Sequence, residues 1–389
     1  MINFNFSKDC CGCRVCGDRC PKKCISFHTN KYGWDIPQVD LDNCIQCGIC
    51  EKVCPHLSYK KPLSTNPRLF SAYASDESIR KEGSSGSIFY LMARNIITNG
   101  GKVYGAGFDD NLKLRHYGVD VIDELQPLMK SKYIQSNTTG VYNDVIKEIR
   151  TGRKVMFVGT PCQCVALYQA LNNNLPDNLL LVDFICHGVP GQQLFDRAIE
   201  NFEFENKCKV TSFSFRKKLP NRLRGYSISY TSISDSSTHY EEGTSSKFPY
   251  YCGYLKYYTF RDSCYKCSYL GKNRVSDITL GDFWFLDTIR PISDFNKGYS
   301  MLIINSNRGL LEFNRLKLSQ EIVTEEFNIE EAVRLNQAYT HPAHMSIVHR
   351  FFKRDYNRLD WQKLVKRYFL PRAPFFQKCL RYIIIKTGI

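Results

Sequence analysis

The sequence predicts a small α+β module at the amino terminus, a larger α/β domain after it and a basic helical tail at the carboxyl terminus. Two similar cysteine runs, each ending in Cys-Pro, lie within the first 55 residues of the 389-residue chain. From about residue 69 onward, apolar helical segments alternate with short apolar strands. Residues 341–389 carry eleven Lys and Arg against two Asp, so this segment supplies +9 of the net charge of +15.

The eighteen cysteines need a chemical explanation. The amino-terminal residues have no apolar core and no small-residue cleavage site typical of a secretory signal, so we expect a cytoplasmic protein. Cysteines stay reduced in that compartment, which favours metal ligands or redox groups over disulfides. No segment approaches the roughly 18 apolar residues that a membrane-spanning helix needs.

The two cysteine runs have the spacing of a two-cluster 4Fe-4S ferredoxin. They are Cys10-x2-Cys13-x2-Cys16-x3-Cys20-Pro21 and Cys44-x2-Cys47-x2-Cys50-x3-Cys54-Pro55. In such ferredoxins each run gives three thiolates to one cluster and its fourth cysteine to the other. The spacing therefore assigns one cluster to Cys10, Cys13, Cys16 and Cys54, and the second to Cys44, Cys47, Cys50 and Cys20. Structural zinc sites also use CxxC pairs, but they do not require the repeated spacing before proline.

This ferredoxin-like module covers residues 1–58, and residues 59–68, rich in Pro, Ser and Thr, are interpreted as a linker. Between the cysteine runs, residues 25–28 and 34–39 have the pattern of a short hairpin. Cys11 and Cys24 fall outside the ligand pattern, and packing is the default role for both.

Residues 69–340 have the alternating pattern of an α/β domain. The predicted helices are Ile88–Thr98, Val141–Ile149 and Val165–Leu171, and the predicted strands are Lys102–Tyr104, Lys154–Val158 and Leu179–Ile185. Thr160 and Pro161 are a typical N-cap and first helical residue, so Cys162 is expected at a helix N-terminus. The partial positive charge there favours a thiolate or an anionic cluster.

Four further cysteines are candidates for a third metal site. Cys162 and Cys186 each follow a predicted parallel strand, at the edge where open α/β sheets bind ligands. Cys264 and Cys267 form a CxxC pair. These four residues could complete another 4Fe-4S cluster, but they could also hold a structural zinc, or Cys162 could be a redox-active thiol. Cys164, Cys208, Cys252 and Cys379 are expected to be structural.

The residues before the first predicted helix of the body are suited to an anion. Ser84-Ser85-Gly86-Ser87 directly precedes Ile88, and hydroxyls with unpaired amides at a helix N-terminus can bind phosphate. The simpler alternative is helix capping by the same serines. Gly105-Ala106-Gly107 follows a strand but lacks the last glycine of a dinucleotide-binding fingerprint.

Taken in order, segments of the body resemble the beta-subunit family of coenzyme F-420-reducing hydrogenases and dehydrogenases. The matching segments are Arg80-Lys81-Glu82-Gly83-Ser84-Ser85-Gly86-Ser87, Ser131-Lys132-Tyr133-Ile134-Gln135-Ser136, Gly159-Thr160-Pro161-Cys162-Gln163, Cys186-His187-Gly188-Val189-Pro190, Phe215-Arg216-Lys217-Lys218, Cys264-x2-Cys267, Asp277-Ile278-Thr279-Leu280-Gly281-Asp282-Phe283-Trp284 and Lys297-Gly298-Tyr299-Ser300. The resemblance covers residues 1 to about 310, with the ferredoxin-like module included.

The resemblance implies an α/β flavin-binding domain with a 4Fe-4S cluster near FAD. It favours metal binding by Cys162, Cys186, Cys264 and Cys267. It makes the following residues candidates for the flavin pocket: Ser85, Gly86, Ser87, Lys132, Tyr133, Gln135 and Ser136. His187 and Asp282 are candidates for orienting ligands or moving protons. The family usually has paired glycines where this chain has Gly86-Ser87, so the loop departs from the family pattern.

These expectations combine into an FAD-dependent iron–sulfur oxidoreductase. Electrons would pass from a ferredoxin-like or other acidic redox protein through the clusters to FAD and then to an unidentified acceptor. The alternative is a non-catalytic electron-relay subunit of a larger redox complex. A nucleic-acid partner is not expected, because the positive charge is local and no binding motif is present.

The basic helical C-terminal tail, residues 341–389, is expected to contain an amphipathic helix. Its apolar residues are Leu359, Trp361, Leu364, Val365 and Phe369. It could lie on the anionic inner face of the membrane or bind an acidic redox partner. The simpler alternative is a terminal helix packed on the body with a solvated basic face.

Overall fold

The computed structural model describes residues 2–61, 66–219 and 222–370, which form a small amino-terminal module and a large mixed α/β domain. The module contains an antiparallel hairpin of β1 (Ile25–Thr29) and β2 (Asp35–Val39), in which Phe27 pairs with Pro37. The predicted hairpin is therefore confirmed. The helices of the module are single turns: α1 (Phe6–Asp9), α2 (Val15–Asp18), α3 (Ile49–Lys52) and α4 (Pro55–Ser58).

The two cysteine runs share one backbone conformation. Arg14 before α2 and Gly48 before α3 are both left-handed, with φ of 62° and 71°. At the other ends of these helices, Arg19 and Val53 have φ of −91° and −92°. Glycine adopts the left-handed region without a steric penalty, whereas Arg14 holds it while its guanidinium pairs with Asp35. Matching conformations at equivalent positions confirm the internal repeat.

Eight strands form the central sheet of the described chain, in the order β13-β3-β12-β11-β7-β6-β4-β5. After the hairpin, the strands are β3 (Arg68–Ala74), β4 (Lys102–Phe108), β5 (Leu114–Val119), β6 (Val155–Gly159), β7 (Leu179–Phe184), β8 (Cys208–Leu219), β9 (Arg222–Ser232), β10 (Thr238–Thr244), β11 (Ile278–Asp282), β12 (Ser300–Ile304) and β13 (Ile322–Phe327). Strands β4, β6, β7 and β11 are parallel, and the outer strands pair antiparallel. The four parallel strands therefore end at one edge of the sheet.

Helices cover the sheet and complete its two cores. In chain order they are α5 (Glu77–Glu82), α6 (Ile88–Thr98), α7 (Val141–Arg150), α8 (Pro161–Ala170), α9 (Gln192–Asn206), α10 (Pro249–Leu255), α11 (Asn307–Leu318), α12 (Ile329–Leu335), α13 (Ile347–Asp355) and α14 (Trp361–Leu364). Met156 and Leu180 pack with α6 and α11, whereas Phe157 and Leu181 pack with α7 and α8. Because neighbouring residues of a strand point to opposite faces, both faces of the sheet are buried.

A second, three-stranded sheet has the order β10-β9-β8 and packs with α9 and α10. Its core is rich in aromatic side chains, among them Phe195, Phe213 and Tyr250. The segment from α13 onward packs into the same core, where Phe352 and Phe369 are 2% and 0% exposed. As far as residue 370, the predicted tail is thus a packed part of the body, while residues 371–389 of that prediction lie outside the described chain.

Membrane association was one expectation for the basic tail. Among residues 2–61, 66–219 and 222–370, no helix is both long enough and apolar enough to cross a membrane.

Candidate functional site

The structure gathers the thiols of the second predicted ferredoxin cluster around one pocket. This pocket is lined by Cys20, Cys44, Cys47 and Cys50, together with Cys24. Cys47 is solvent-exposed and Cys50 is buried, so the pocket opens at the surface of the module. Cys24, which the spacing left outside the ligand set, has its Sγ 3.4 Å from Sγ of Cys20.

The thiols of the first predicted cluster lie together deeper in the module. Burial, together with the neighbouring Cys10 and Cys50 thiols, raises the pKa of Cys54 to about 11. Burial also raises the pKa of Cys16, with additional contributions from Cys10 and Cys54. Metal binding requires thiolates, and iron would offset the repulsion between them. The backbone N–H of Gly12 donates to Sγ of Cys10 at 3.3 Å, the kind of amide-to-sulfur contact found around such clusters.

The third predicted set also comes together, although its members are spread over about a hundred residues. Burial raises the pKa of Cys186, and Cys264, Cys162 and Cys267 raise it further because they lie close enough to repel its thiolate. Burial likewise raises the pKa of Cys264 to about 12 and that of Cys267 to about 11. The four thiols are each partly buried and lie close together at the edge of the sheet.

The topology explains why this set converges. Cys162 lies in the first turn of α8, directly after β6, and Cys186 follows β7. Since β6 and β7 are parallel neighbours, the residues after them meet at the same edge of the sheet. Cys264 lies in a 3₁₀ turn, Asp262–Lys266, that packs on this edge.

Within the described ranges, no group of three or more His, Cys, Asp or Glu side chains is arranged to hold a single metal ion. The cluster assignments proposed below therefore depend on the sequence spacing and on which thiols share a pocket.

Cys11 is a functional candidate that the spacing argument missed. Its thiol lies close enough to those of Cys13, in the first ferredoxin set, and Cys162, in the third set, that both shift its pKa. The pKa of Cys162 is raised first by the Cys11 thiol and then by burial. Cys11 therefore lies between two of the predicted metal sites, a contact across 151 positions of sequence that no local pattern could predict.

Arg261 joins the module to the body beside this contact. Its Nε donates to Oε1 of Gln135 at 2.9 Å, and its Nη2 donates to the carbonyl of Asp35 at 2.9 Å. Gln135 in turn donates to the carbonyl of Cys11 at 2.6 Å, and the Ser263 hydroxyl donates to that of Cys10 at 3.0 Å. These bonds fix the loops of the module against the third cysteine set.

A cavity of about 800 Å³ opens at the carboxyl edge of the parallel strands. Its wall includes Ala106 of β4, Val158 of β6, Phe184 of β7 and Asp282 of β11. Cys186 of the third cysteine set also lines it. This volume is within the range of cofactor sites, roughly 300–1,000 Å³, and the position is the usual ligand site of an open α/β sheet.

Five of the seven residues predicted for the flavin pocket line this cavity: Ser85, Ser87, Lys132, Tyr133 and Ser136. Gly86 and Gln135 are not among the lining residues. A Cβ on Gly86 would lie 2.1 Å from the carbonyl oxygen of Ala72, so this glycine allows close packing on β3. Gln135 lies instead at the contact with the amino-terminal module.

The loop before α6 has an unusual backbone conformation at two serines. Ser85 and Ser87 are left-handed, with φ of 49° and 65°, a region that non-glycine residues rarely adopt. The Ser87 side chain does not cap α6 and donates instead to the carbonyl of Arg80 at 3.1 Å. The capping alternative for Ser87 is therefore wrong.

Basic groups surround this loop. Burial lowers the pKa of Lys132 to about 7, with a further contribution from Lys130, and its Nζ donates to the carbonyls of Pro127 and Met129. Burial, followed by Arg216, lowers the pKa of Lys218 to about 7. Both side chains are therefore near their titration points at neutral pH, where an anion would favour their charged forms.

The two predicted catalytic residues both line the cavity, in different surroundings. Asp282 accepts two bonds from Arg216, at 2.7 and 2.9 Å, and one from the hydroxyl of Ser85. His187 has its Nδ1 3.2 Å from the hydroxyl of Tyr257. Asp282 is thus part of an ion pair beside the serine loop, whereas His187 lies next to Cys186.

His116 is a second residue that sequence reasoning missed. It lies on β5 and lines the cavity, and burial lowers its pKa to about 4. Its Nδ1 is 2.7 Å from the hydroxyl of Ser136, and its Nε2 is 2.9 Å from the carbonyl of Val158. A single histidine within a strand gave no sequence signal of this position.

Two family models match the chain. Residues 152–330 match the model for the carboxyl-terminal part of the beta subunit of coenzyme F420 hydrogenase/dehydrogenase, a segment that contains all four cysteines of the third set. Residues 36–59 match a 4Fe-4S binding domain and contain the second cysteine run.

Among solved structures, the chain is similar to one in a xenon derivative of the F420-reducing [NiFe] hydrogenase complex from Methanosarcina barkeri. The two are 15% identical, with a TM-score of 0.46 over 81% of this chain and 97% of that chain. No curated protein matches the sequence.

Proposed function

We propose that this chain is an FAD-dependent iron–sulfur oxidoreductase. The proposal is supported by its match to a 4Fe-4S binding domain and to the C-terminal part of the coenzyme F420 hydrogenase/dehydrogenase beta subunit. Electrons enter from a ferredoxin-like or other acidic redox protein and leave to an acceptor that binds in the cavity. The observation that carries this proposal is the contact between the third cysteine set and the cavity, because Cys186 belongs to both.

Twelve thiolates would hold three 4Fe-4S clusters. The first ferredoxin set is Cys10, Cys13, Cys16 and Cys54, the second is Cys20, Cys44, Cys47 and Cys50, and the third is Cys162, Cys186, Cys264 and Cys267. The pocket shared by the second set and the mutual proximity of the other two sets support this grouping. The assignment of cubanes to the first two sets also has the repeated spacing in its favour.

The residues of the cavity fit FAD in charge and size. Lys132 would pair with the phosphates where Ser85 and Ser87 line the cavity, with Lys218 contributing charge behind the serine loop through its bond to the carbonyl of Ser85. Tyr133, whose ring stacks on Tyr254 at 4.3 Å, offers an aromatic wall. A bound flavin supplies the exchange between one-electron and two-electron transfer.

Two residues of the chain have roles near the acceptor. His187, next to Cys186 and bonded to Tyr257, can hold a proton at the cavity wall. Asp282 fixes Arg216 and the Ser85 hydroxyl, so its proposed role is to position the serine loop rather than to exchange protons.

The iron, acid-labile sulfide, zinc and flavin contents of anaerobically purified protein test this proposal. We expect about twelve irons and one FAD per chain, and about eight irons after Cys186→Ser. Cys208→Ser is the matched control, because Cys208 is buried in the second sheet, away from the three sets. About eight irons and no flavin in the unmodified chain would refute the oxidoreductase and favour an electron relay, whereas zinc in place of iron would refute the clusters.

A further inference from the structure

A continuous hydrogen-bond chain runs from the cavity wall to a cysteine of the third set. It begins at the carbonyl of Val158 and passes through His116, Ser136, Gln163 and Thr160. The Thr160 hydroxyl then lies 3.1 Å from Sγ of Cys162. His116, Ser136 and Gln163 are 6%, 6% and 2% exposed, so bulk water does not compete for these bonds.

The direction of each bond at the cavity end follows from the first acceptor. A carbonyl oxygen only accepts, so Nε2 of His116 must carry the proton that it donates to Val158 at 2.9 Å. The low pKa of His116 keeps the ring neutral, which leaves Nδ1 as an acceptor. The Ser136 hydroxyl therefore donates to Nδ1 at 2.7 Å.

The direction of this hydrogen bond determines the directions of the bonds that follow it. Because the Ser136 hydrogen is used, its oxygen accepts from the amide nitrogen of Gln163 at 2.9 Å. The amide oxygen of Gln163 then faces Thr160 and accepts from the backbone N–H of that residue at 2.9 Å. The Thr160 hydroxyl lies 3.1 Å both from this amide oxygen, to which it donates, and from Sγ of Cys162. A metal-bound Cys162 is a thiolate without a hydrogen, so at that contact the sulfur accepts and the hydroxyl hydrogen is shared between the two acceptors.

From these contacts we infer that Thr160 is a positioning residue for the third metal site. Its hydroxyl donates to the Cys162 sulfur and shares its hydrogen with the amide oxygen of Gln163, which Ser136 and His116 hold in place. The inference rests on the proposed cluster at Cys162, Cys186, Cys264 and Cys267. Hydrogen bonds to cluster sulfurs raise the reduction potential, because they stabilise the extra negative charge of the reduced state. Through these hydrogen bonds, side chains of the cavity wall would affect the reduction potential of the third site.

Redox titration of the full-length, anaerobically purified chain, followed by electron paramagnetic resonance, tests this inference. The signal of the third site is the one lost in Cys186→Ser. We expect Thr160→Val to lower the ratio of reduced to oxidised third cluster at a fixed potential by roughly tenfold, equivalent to about 59 mV for one electron. Thr160→Ser keeps the hydroxyl and should retain the original potential.

Two further variants separate orientation from folding. Ser136→Ala keeps the Thr160 hydroxyl but removes the group that holds Gln163, whose amide oxygen competes with the sulfur for the Thr160 hydrogen. The shift in potential should therefore have the opposite sign and be smaller. Thr151→Val, which removes the hydroxyl that bonds the carbonyl of Glu148 at the end of α7, is the control without an effect on potential.

The three informative outcomes are distinct. A third cluster whose potential is the same in Thr160→Val and the unmodified chain overturns the inference and leaves the proposed function intact. A shift in Thr160→Val with none in Ser136→Ala overturns the orienting chain. If Cys186→Ser loses no signal, the cluster itself is refuted, and with it both proposals.

Discussion

Replacing Asp282 by Asn distinguishes an ion-pair partner from a reacting group. The carboxylate accepts two bonds from Arg216, and the side chains of the two residues are 19% and 2% exposed. The substitution leaves the buried guanidinium without its counter-charge. Removing one partner of a buried pair costs about 3–5 kcal/mol, and the partial exposure of Asp282 places the expected loss of stability near about 3 kcal/mol.

The chain contains a matched control for this experiment. Arg68 and Glu326 also form a two-bond pair, through Nε and Nη2 with both distances 2.8 Å, but their side chains are 49% and 50% exposed. Water and salt screen this pair, so Glu326→Gln should cost less than about 1 kcal/mol. Both variants replace a carboxylate that accepts two bonds from one arginine, and the two pairs differ strongly in burial.

Thermal unfolding of the anaerobically purified proteins gives the result. At roughly 2–4 °C per kcal/mol for a domain of this size, Asp282→Asn should lower the unfolding midpoint by about 6 °C or more, and Glu326→Gln by less than about 4 °C. Equal shifts in the two variants would show that the Arg216 pair is not buried in solution. An unchanged midpoint with lost reduction of an artificial acceptor would instead make Asp282 a reacting group.

Three further predictions concern the cavity, the junction between module and body, and the serine loop. The pKa of Lys132 is lowered to about 7, so its positive charge attracts phosphate below pH 7 and is lost as the pH rises above that value. A fluorescence titration should show that FAD binding weakens from pH 6 to 8.5. Lys132→Met should flatten this pH dependence. Arg261→Met should increase hydrogen exchange in the first cysteine loop and the hairpin of the module, because it removes bonds to the carbonyls of Cys10 and Asp35, while the exposed Arg290→Met should not. Gly86→Ala should destabilise the protein by about 3 kcal/mol, because the new Cβ would lie 2.1 Å from the carbonyl oxygen of Ala72. Gly105→Ala is the control: its Cβ would lie 3.5 Å from Leu128, so it should cost less than about 1 kcal/mol in the same unfolding assay.

Local patterns predicted the elements whose signals are local. The helix expected at Ile88–Thr98 has those bounds, and the strand expected at Leu179–Ile185 ends one residue earlier. Helix α8 begins at Pro161, ahead of the apolar segment from Val165, as the capping residues indicated. The pairing of strands into one eight-stranded sheet could not be predicted, because register depends on contacts between distant segments.

The site was predictable to the extent that spacing or resemblance described it. Cysteine spacing predicted which thiols would share the pocket of the second set, and the strand ends predicted that Cys162 and Cys186 would be neighbours. Cys11 and His116 escaped notice because their partners, Cys162 and Ser136, are brought to them only by the fold. Resemblance alone likewise misjudged the surroundings of Gln135, which bonds the amino-terminal module and does not line the cavity.

The positions of the thiols argue for a direction of electron flow. Among the eight ferredoxin-type cysteines, all of which the structure describes, Cys47 alone is exposed. A donor protein would therefore make its closest approach at the second set. The first set lies deeper and reaches the third set through Cys11, whose thiol contacts both Cys13 and Cys162. The third set reaches the cavity through Cys186, so each proposed site is adjacent to the next, and in the proposed route the acceptor binds at the opposite end from the exposed thiol.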